Sequence, residues 1–247
     1  MNANPNAALE TYPLASLLTA LRRFEPPKGD FDPAGSWEQT WQVCTLAGRA
    51  AAVRPVGRLT LRRGVSGKTA RLNVTYRRNV TGGRQEVTGT LEGPADDPLA
   101  APRRWSFRIR LFDTKGQPIP GTDIARRAAF ADGRITVADA TETRTLDPAG
   151  PYTVNWSLFD AVQRLPGGKT PAHTFTLIDH FDQAKSGTTL AFRREMDVQV
   201  AGGRAIATRA YEQLGRGNVP WVYWTDASGR LLWVVAGLEG YVRETAT

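Results

Sequence analysis

The chain has 247 residues, one cysteine and a formal net charge of +8 at pH 7. This length suits one large β domain or two small ones and allows a sizeable core. The single cysteine excludes an intramolecular disulfide framework, and no apolar run reaches the roughly 20 residues that a membrane-spanning helix needs. The sequence therefore predicts a protein with its own hydrophobic core and no membrane span.

The first predicted element is a helix within residues 8–24. Leucines recur there at helical spacing, at positions 14, 17, 18 and 21, and Pro13 suits the first turn. The segment EPPKGD then ends the helix. We assign residues 1–35 to an N-terminal helical arm. We expect its apolar side to cap a sheet or a barrel mouth rather than to lie on a membrane.

Residues 36–146 show a hydrophobic period of two, which is typical of β-strands. In WSFRIRLF, Trp105 and Phe107 share one face with apolar residues, while Arg104 and Arg108 share the other with polar ones. Turn signals such as SG, TGG and ADG separate the runs. Strands are predicted at 37–46, 50–63, 68–79, 83–92, 103–113, 122–130, 134–138 and 141–146.

A second helix is predicted at 155–165, where apolar residues form a broad stripe that PGG ends. Later strands are predicted at 172–182, 189–200, 203–213, 219–226 and 230–243. So many consecutive strands favour a closed or nearly closed sheet, because closure removes exposed edges. We predict an all-β protein with one large domain over residues 36–247. Its antiparallel curved sheet forms a lipocalin-like barrel or half-barrel, with an N-terminal helix and one mid-chain helix.

The segment VPWVYWTDASGRLLWVV, residues 219–235, predicts a β-hairpin with its turn at DASG. If Thr225 pairs with Arg230, one face is entirely apolar and we expect it to be core. Trp221 and Tyr223 lie on the other face. That face is either covered by one of the two helices or lines an open groove, where the rings offer stacking and hydrogen bonds to a lipid headgroup or a sugar.

Two charged residues fall on strand faces that are otherwise mostly apolar, Asp179 in HTFTLIDHF and Arg194 in the next strand. If these faces align, the two residues are diagonal neighbours. They then form either a sealed ion pair, because an isolated buried charge is costly, or the polar anchor of a ligand cavity. Tyr211 and Gln213, which share one strand face in RAYEQLG, would extend this anchor. The predicted ligand-binding residues are Asp179, Arg194, Tyr211, Trp221 and Tyr223.

Catalytic motifs are absent from the sequence. His173 and His180 are its only histidines, too few for a zinc site, and it contains neither G-x-S-x-G nor a phosphate-binding glycine loop. We predict no metal, no cofactor and no catalytic residue. A carbohydrate-active hydrolase or lyase stays as the alternative, because paired carboxylates come from distant strands and leave no local signature.

Arginine dominates the basic residues and alternates with apolar residues in strands such as RLTLRRG and RLNVTYRR. Such faces are either solvated surface or a binding surface for a polyanion. No helix-turn-helix, zinc-finger or RNP-type signature indicates a specific nucleic-acid partner. We keep weak polyanion binding through the arginine-rich strand faces as a hypothesis.

The order of elements after residue 150 resembles a known family. The helix SLFDAVQRLP precedes HTFTLIDHFD, then a long hairpin beginning TTLAFRREMDVQV, then WVYWTDASGRLLWVVAGLEGY. Over residues 150–245 this order is similar to DUF3108, a bacterial domain family of unknown function, in its aromatic-W-x-[ST]-D turn followed by RLL. The resemblance implies an envelope protein with a lipocalin-like barrel or half-barrel and supplies no catalytic residues. The very basic charge and the long N-terminal portion depart from that family's pattern.

These observations together predict a non-catalytic, extracytoplasmic β-barrel protein whose cavity binds a hydrophobic or amphipathic small molecule, such as a lipid or glycolipid. No signal peptide is visible, which fits either a cytosolic protein or a mature secreted chain. Because the start NANPNA is typical of a processed chain and large antiparallel β-proteins are common in the bacterial envelope, we expect a periplasmic or secreted location with the signal peptide already removed.

Overall fold

A computed structural model describes residues 17–46, 53–168, 171–180 and 182–244. Over these ranges the chain forms one sheet of fifteen strands with two short helices. The helices are α1 (Leu18–Leu21) and α2 (Ser157–Arg164). The strands are β1 (Trp37–Thr45), β2 (Arg54–Ser66), β3 (Thr69–Val80), β4 (Gly83–Pro94), β5 (Arg104–Asp113), β6 (Ile124–Ala131), β7 (Arg134–Ala138), β8 (Thr143–Leu146), β9 (Tyr152–Val154), β10 (His173–Asp179), β11 (Gln183–Gln199), β12 (Ala205–Leu214), β13 (Trp221–Asp226), β14 (Leu231–Ala236) and β15 (Glu239–Arg243).

The strand order is β8 to β1 in descending sequence, then β15 to β9. Strand β15 pairs with β1, which joins the two halves of the chain into one curled sheet. Neighbouring strands are antiparallel, as predicted, except that β9 runs parallel to β10. The all-β prediction is therefore confirmed, and the sheet is open, with β8 and β9 as its edges. The predicted division at residue 35 stays a prediction.

Side chains close the seam between the two ends of the sheet. Asp182, beyond β10, accepts hydrogen bonds from Arg126 in β6 and Arg144 in β8. Near the β9 edge, the ring of Tyr152 lies 4.8 Å from that of Phe130, centroid to centroid. The half-barrel is thus held shut by ion pairs and ring contacts instead of a backbone ladder.

Helix α2 fills the interior of the curled sheet. Every residue from Ser157 to Gln163 is buried. The ring of Phe159 makes edge-on contacts with Trp41, Tyr223 and Tyr241, at centroid distances of 5.3, 5.8 and 5.5 Å. The helix therefore occupies the space where a lipocalin-like barrel would hold its ligand. This corrects the expectation of an interior ligand cavity.

The N-terminal segment covers the outside of the sheet. Leu17, Leu21 and Phe24 are buried against the outer faces of β13 and β14, and Phe24 meets Trp233 edge-on at 5.5 Å. The expectation that the arm caps the sheet holds for these residues, whereas residues 8–16 of the predicted helix lie outside the described ranges. No helix in the described part of the chain is long and apolar enough to span a membrane.

The predicted hairpin forms, but its register differs by one residue at Thr225 and by two along the rest of the strands, where Trp224 lies opposite Trp233. A bulge places Thr225 opposite Leu231 instead of Arg230. The turn is as predicted, since the Asp226 carboxylate accepts hydrogen bonds from the backbone N–H groups of Ser228 and Arg230. Gly229 has a φ of +85°, and a Cβ there would lie 2.4 Å from a carbonyl oxygen of α2. Only glycine fits this turn against the helix.

Both faces of the hairpin are buried. Val222 and Trp224 point outward beneath α1, whereas Tyr223 points inward against α2. Helix α2 covers Tyr223 on the predicted Trp221 face, whereas Trp221 itself stays partly exposed. The expectation that the other face belongs to the core also holds, although this second core lies on the outside of the sheet.

The end of the barrel where β1 begins is sealed by residues 25–36, which we call the strap. Two arginines, each 5% exposed or less, bind it. Arg63 donates to the carbonyl oxygens of Ala34 and Gly35. Arg230 donates to those of Pro27 and Gly29, at 3.1 and 2.8 Å. The strap therefore closes this end of the barrel, and the opposite end is open.

Candidate functional site: a pocket at the open mouth

A cavity of about 270 Å³ opens at the unsealed end of the barrel, and we call it the mouth pocket. It lies where β10, β12 and β14 end and β11, β13 and β15 begin, because hairpin turns of alternating antiparallel strands meet at one end of a barrel. Its polar lining residues are Asn155, Asp179, His180, Lys185, Gln213, Asn218 and Glu239. Its other lining residues are Leu177, Gly217, Val219, Trp221, Tyr223 and Ala236.

Asp179 is the centre of the polar side of the mouth pocket. Its carboxylate accepts a hydrogen bond from Asn155 Nδ2 at 2.7 Å and pairs with the Lys185 ammonium. Partial burial alone would raise the pKa of this carboxyl, but the hydrogen bonds from Lys185 and Asn155 outweigh it and lower the pKa. Asp179 is therefore ionised at neutral pH, and its two partners hold the carboxylate in place. Asn155 Oδ1 is buried and has no hydrogen-bond partner among the described residues.

An aromatic wall faces this polar cluster. Trp221 is partly exposed, and its indole is nearly parallel to the ring of Tyr223, at 21° and 6.1 Å between centroids. The Tyr223 hydroxyl donates to Gln213 Oε1 at 2.8 Å. Complete burial raises the pKa of Tyr223 well above its usual value, so this hydroxyl stays protonated. The wall offers a ring face together with an amide group already held in place.

The edge of the mouth carries two large apolar side chains that are exposed to solvent. Val219 is 55% exposed and Leu238 is 70% exposed. Both belong to turns that border the mouth pocket, and the Val219 side chain packs beside Gly237. The site therefore passes from charged groups inside to apolar groups at its edge.

Three of the five predicted ligand-binding residues, Asp179, Trp221 and Tyr223, line the mouth pocket. Tyr211 does not, because its hydroxyl donates to the carbonyl oxygens of Leu165 and Pro166 at the end of α2. Burial raises the pKa of Tyr211. Its role in the structure is to fix the C-terminal end of the interior helix.

The predicted neighbourhood of Asp179 and Arg194 is wrong. Asp179 lies opposite Gln183, whereas Arg194 lies opposite Ala210 in the next pair. Gln183 and Arg194 are eleven residues apart in β11, which is roughly 35 Å of extended strand. The cause is the position of the turn. The chain reverses between Asp179 and Gln183, and Gly187, with a φ of +70°, lies in a bulge inside β11 instead of in a loop.

Sequence reasoning missed most of the pocket's polar residues. Asn155, Lys185, Asn218 and Glu239 lie at strand ends or in turns, where no periodicity marks them. The available signal was topological, since alternate hairpin turns of a meander share one end of the barrel. Gln213 was grouped with Tyr211 by its strand face, and it alone of that pair reaches the pocket.

Both carboxylates of the mouth pocket already have cationic partners. Asp179 pairs with Lys185, and Glu239 pairs with Arg78. A glycosidase general acid needs a raised pKa, and that of Asp179 is lowered. Within the described residues, no three His, Cys, Asp or Glu side chains are grouped to hold a metal ion. The arrangement favours binding over acid–base chemistry.

The fold and the pocket define a β-barrel-like protein with a helix in its interior. Neither protein-family models nor curated proteins give a match to the sequence. A solved structure with this fold is the β-barrel-like protein of a domain of unknown function, DUF1849, from Brucella abortus. It is 12% identical, with a TM-score of 0.55 over 87% of this chain and 97% of that one. A DUF1089 family protein from Pseudomonas aeruginosa aligns over 85% of this chain and 95% of its own at 15% identity, with a TM-score of 0.39. The first similarity supports the barrel-like fold, and the likeness to DUF3108 stays a prediction.

Proposed function

We propose that the protein is a non-catalytic binding protein that takes the polar head of an amphipathic small molecule in the mouth pocket. The observation that carries this proposal is the Asp179–Lys185–Asn155 cluster, which faces Trp221 across a pocket with an apolar edge. Small-molecule sites typically combine an apolar lining with a few placed polar groups.

The filled interior limits the shape of the ligand. Because Phe159 and its neighbours in α2 occupy the barrel, an alkyl chain has no place inside it. The chain would instead lie along Val219 and Leu238, which are exposed beside the pocket. This favours a molecule with a compact polar head and an exposed tail, such as a glycolipid, over a fatty acid buried in a lipocalin manner.

The polar groups suit a neutral head. Asp179 and Lys185 neutralise each other, so the pocket has no excess charge to offer from this pair. Asn155, Gln213 and Asn218 supply amide groups, and Trp221 supplies a ring face. A sugar ring can stack on the indole while its hydroxyls bond the amides and the carboxylate.

A periplasmic or secreted location belongs to the same proposal. Its support is indirect, namely the β architecture and the resemblance of residues 150–245 to an envelope family. Fractionation of the native host, with immunodetection of the chain, tests it. Recovery in the cytosolic fraction alone would overturn this part.

Octyl glucoside below its critical micelle concentration is a suitable probe, with glucose and octanoate as its separate halves. We expect calorimetric binding of the glucoside, and Trp221→Ala and Lys185→Met should each weaken it at least tenfold. The double variant Val219→Ser/Leu238→Ser should abolish the advantage of octyl glucoside over glucose. Ile124→Ser is the matched control, because Ile124 is 41% exposed and is not among the lining residues of the pocket.

Three results would overturn the proposal. The first is octanoate binding as tightly as octyl glucoside. The second is hydrogen-exchange protection at the seam cavity beside Leu99, Phe130 and Tyr152 instead of at the mouth. The third is turnover of a chromogenic glycoside that Asp179→Asn removes, which would favour the carbohydrate-active alternative.

A further inference from the structure

The outer face of β2–β5 carries a patch of short polar side chains at regular spacing. In register across β2, β3 and β4 lie Thr60, Thr75 and Thr88. In the adjacent row across β3, β4 and β5 lie Asn73, Thr90 and Ser106. We call these six residues the floor. None of these strand pairings has a bulge, and the alternate residues belong to the core, so the floor faces solvent.

Arginines surround the floor on both rows beyond it. One outer row holds Arg58, Arg77 and Arg110, from β2, β3 and β5. The opposite row holds Arg71 and Arg104.

Arg62 and Arg127 lie beside the floor at its two ends. We call these seven arginines the rim. Arg71 and Arg77 are six residues apart, about 20 Å, and three strand spacings from β2 to β5 span about 14 Å.

The rim keeps an excess of positive charge. Glu86 lies in the first row and is shared by Arg77, Arg84 and Arg110, at 3.3, 3.1 and 3.2 Å. One carboxylate therefore serves three guanidinium groups, whereas Arg58, Arg62 and Arg71 each pair with a carboxylate of their own, which are Glu244, Glu38 and Glu92. Arg104 and Arg127 have no carboxylate partner in the described part of the chain, and both are exposed.

We infer that the rim and floor together form a binding surface for an anionic polysaccharide. Guanidinium groups bind sulfate and carboxylate groups with paired hydrogen bonds, and the rim places them around an area that spans several sugar rings. The floor's hydroxyls and amide can exchange hydrogen bonds with sugar hydroxyls. This site is separate from the mouth pocket, so neither proposal depends on the other.

Other polyanions fit this surface less well. Single-stranded nucleic acid is usually bound by stacking of its bases on aromatic side chains, and the floor has none. A bilayer surface is usually bound by an apolar face that enters the acyl region, and the floor and rim contain only polar residues. The chemistry of the floor therefore favours a hydroxylated polymer.

Heparin binding by the intact chain, measured over a range of salt concentrations, tests the rim. The double variant Arg104→Gln/Arg127→Gln should weaken binding at least tenfold and lower the salt slope by about two, because each guanidinium contact releases about one counterion. Arg204→Gln/Arg216→Gln is the matched control. It removes the same charge from two exposed arginines elsewhere and should leave the affinity within twofold.

Thr75→Val/Thr88→Val tests the floor, since it removes two hydroxyls without changing charge. It should weaken heparin binding severalfold and leave the salt slope unchanged. Equal losses in the two arginine doubles would show attraction by net charge alone and overturn the inference. So would the absence of heparin binding, or equally tight binding of an oligodeoxythymidine or of anionic lipid vesicles. Circular dichroism and Tm check that every variant folds.

Discussion

Truncation of Phe159 tests whether α2 really fills the barrel. Phe159 is fully buried, and its ring contacts Trp41, Tyr223 and Tyr241 at centroid distances below 6 Å, with Trp221 at 6.3 Å. Phe159→Ala would remove a side chain on which three strands of the sheet, β1, β13 and β15, converge. The helix is too short to be stable alone, so its position depends on this packing.

The expected loss is large. A buried phenylalanine truncated to alanine costs about 3–5 kcal/mol, from lost burial and the cavity left behind. Each edge-on ring contact adds about 0.5–1.5 kcal/mol beyond area, and these terms do not add in full. We therefore expect about 5 kcal/mol for Phe159→Ala. Phe159→Leu, which keeps most of the volume, should cost about 1–2 kcal/mol.

Equilibrium urea unfolding, followed by tryptophan fluorescence, measures both losses. In thermal melts the alanine variant should lower Tm by about 10–20 °C, given about 2–4 °C per kcal/mol for a chain of this size. A loss below about 1 kcal/mol for Phe159→Ala would refute the reasoning, because it would mean that the helix is not a required part of the folded core.

Three further predictions concern buried and titrating groups. Arg63→Met should lower the free energy of unfolding in urea by about 3–5 kcal/mol, because it leaves buried Asp160 without the guanidinium group 3.0 Å away. Arg71→Met, at an exposed ion pair, should lower it by less than about 1 kcal/mol, and equal losses would contradict the prediction. The lowered pKa of Asp179 means that its contribution to stability is complete above its unfolded pKa of about 3.9 and is lost as the pH falls through the folded pKa. The stability of Asp179→Asn should therefore decline less at acid pH than that of the wild type, and an equal decline would contradict this prediction. Burial raises the pKa of Cys44 to about 11, so a thiol reagent should label it only after unfolding, and rapid labelling of the native protein would disprove its burial.

The regular half of the sheet could be predicted from the sequence almost strand by strand. Strands β2–β7 obey the period of two, since Trp105 and Phe107 face the core while Arg104 and Arg108 face water. Turn residues then fix the ends of each strand. Because this region is a plain antiparallel meander, local pattern and global fold agree, and no long-range information is needed.

The interior helix could be recognised but not placed. Its stripe of apolar residues predicts a helix against a sheet, and nothing in NWSLFDAVQRL states which face of the sheet it covers. Asp160 is the misleading residue, because a carboxylate predicts an exposed position. In the structure it is buried, and Arg63 and Arg164 hold it by ion pairs. Arg164 lies one helical turn away in α2, whereas Arg63 is distant in sequence and only the fold brings it to Asp160.

The C-terminal hairpins show how the position of a turn or a bulge changes a site. A turn between Asp179 and Gln183 separates Asp179 from Arg194, and the bulge after Trp224 moves Leu231 to the inner face. Trp233 and Val235 keep the predicted face with Val222 and Trp224, although their partners across the hairpin differ. The periodic pattern remains readable on each side of a bulge, whereas the partner across the sheet does not. Candidate sites inferred from cross-strand neighbours are therefore the least secure part of such a prediction.

The arginines illustrate the same limit and connect the two proposals. Inward-facing arginines such as Arg63, Arg126 and Arg144 bind carbonyls or carboxylates that close the strap end and the seam. Outward-facing ones such as Arg104 and Arg127 remain available to a partner. The sequence alternates both kinds with apolar residues, so composition alone cannot separate structural cations from a binding surface. Once it is known which face of the sheet points outward, the excess positive charge can be assigned to the outer face of β2–β6. The nearly neutral mouth pocket lies at the end of the barrel. The two surfaces should therefore respond differently to salt, and binding of octyl glucoside should be insensitive to salt concentrations that release heparin.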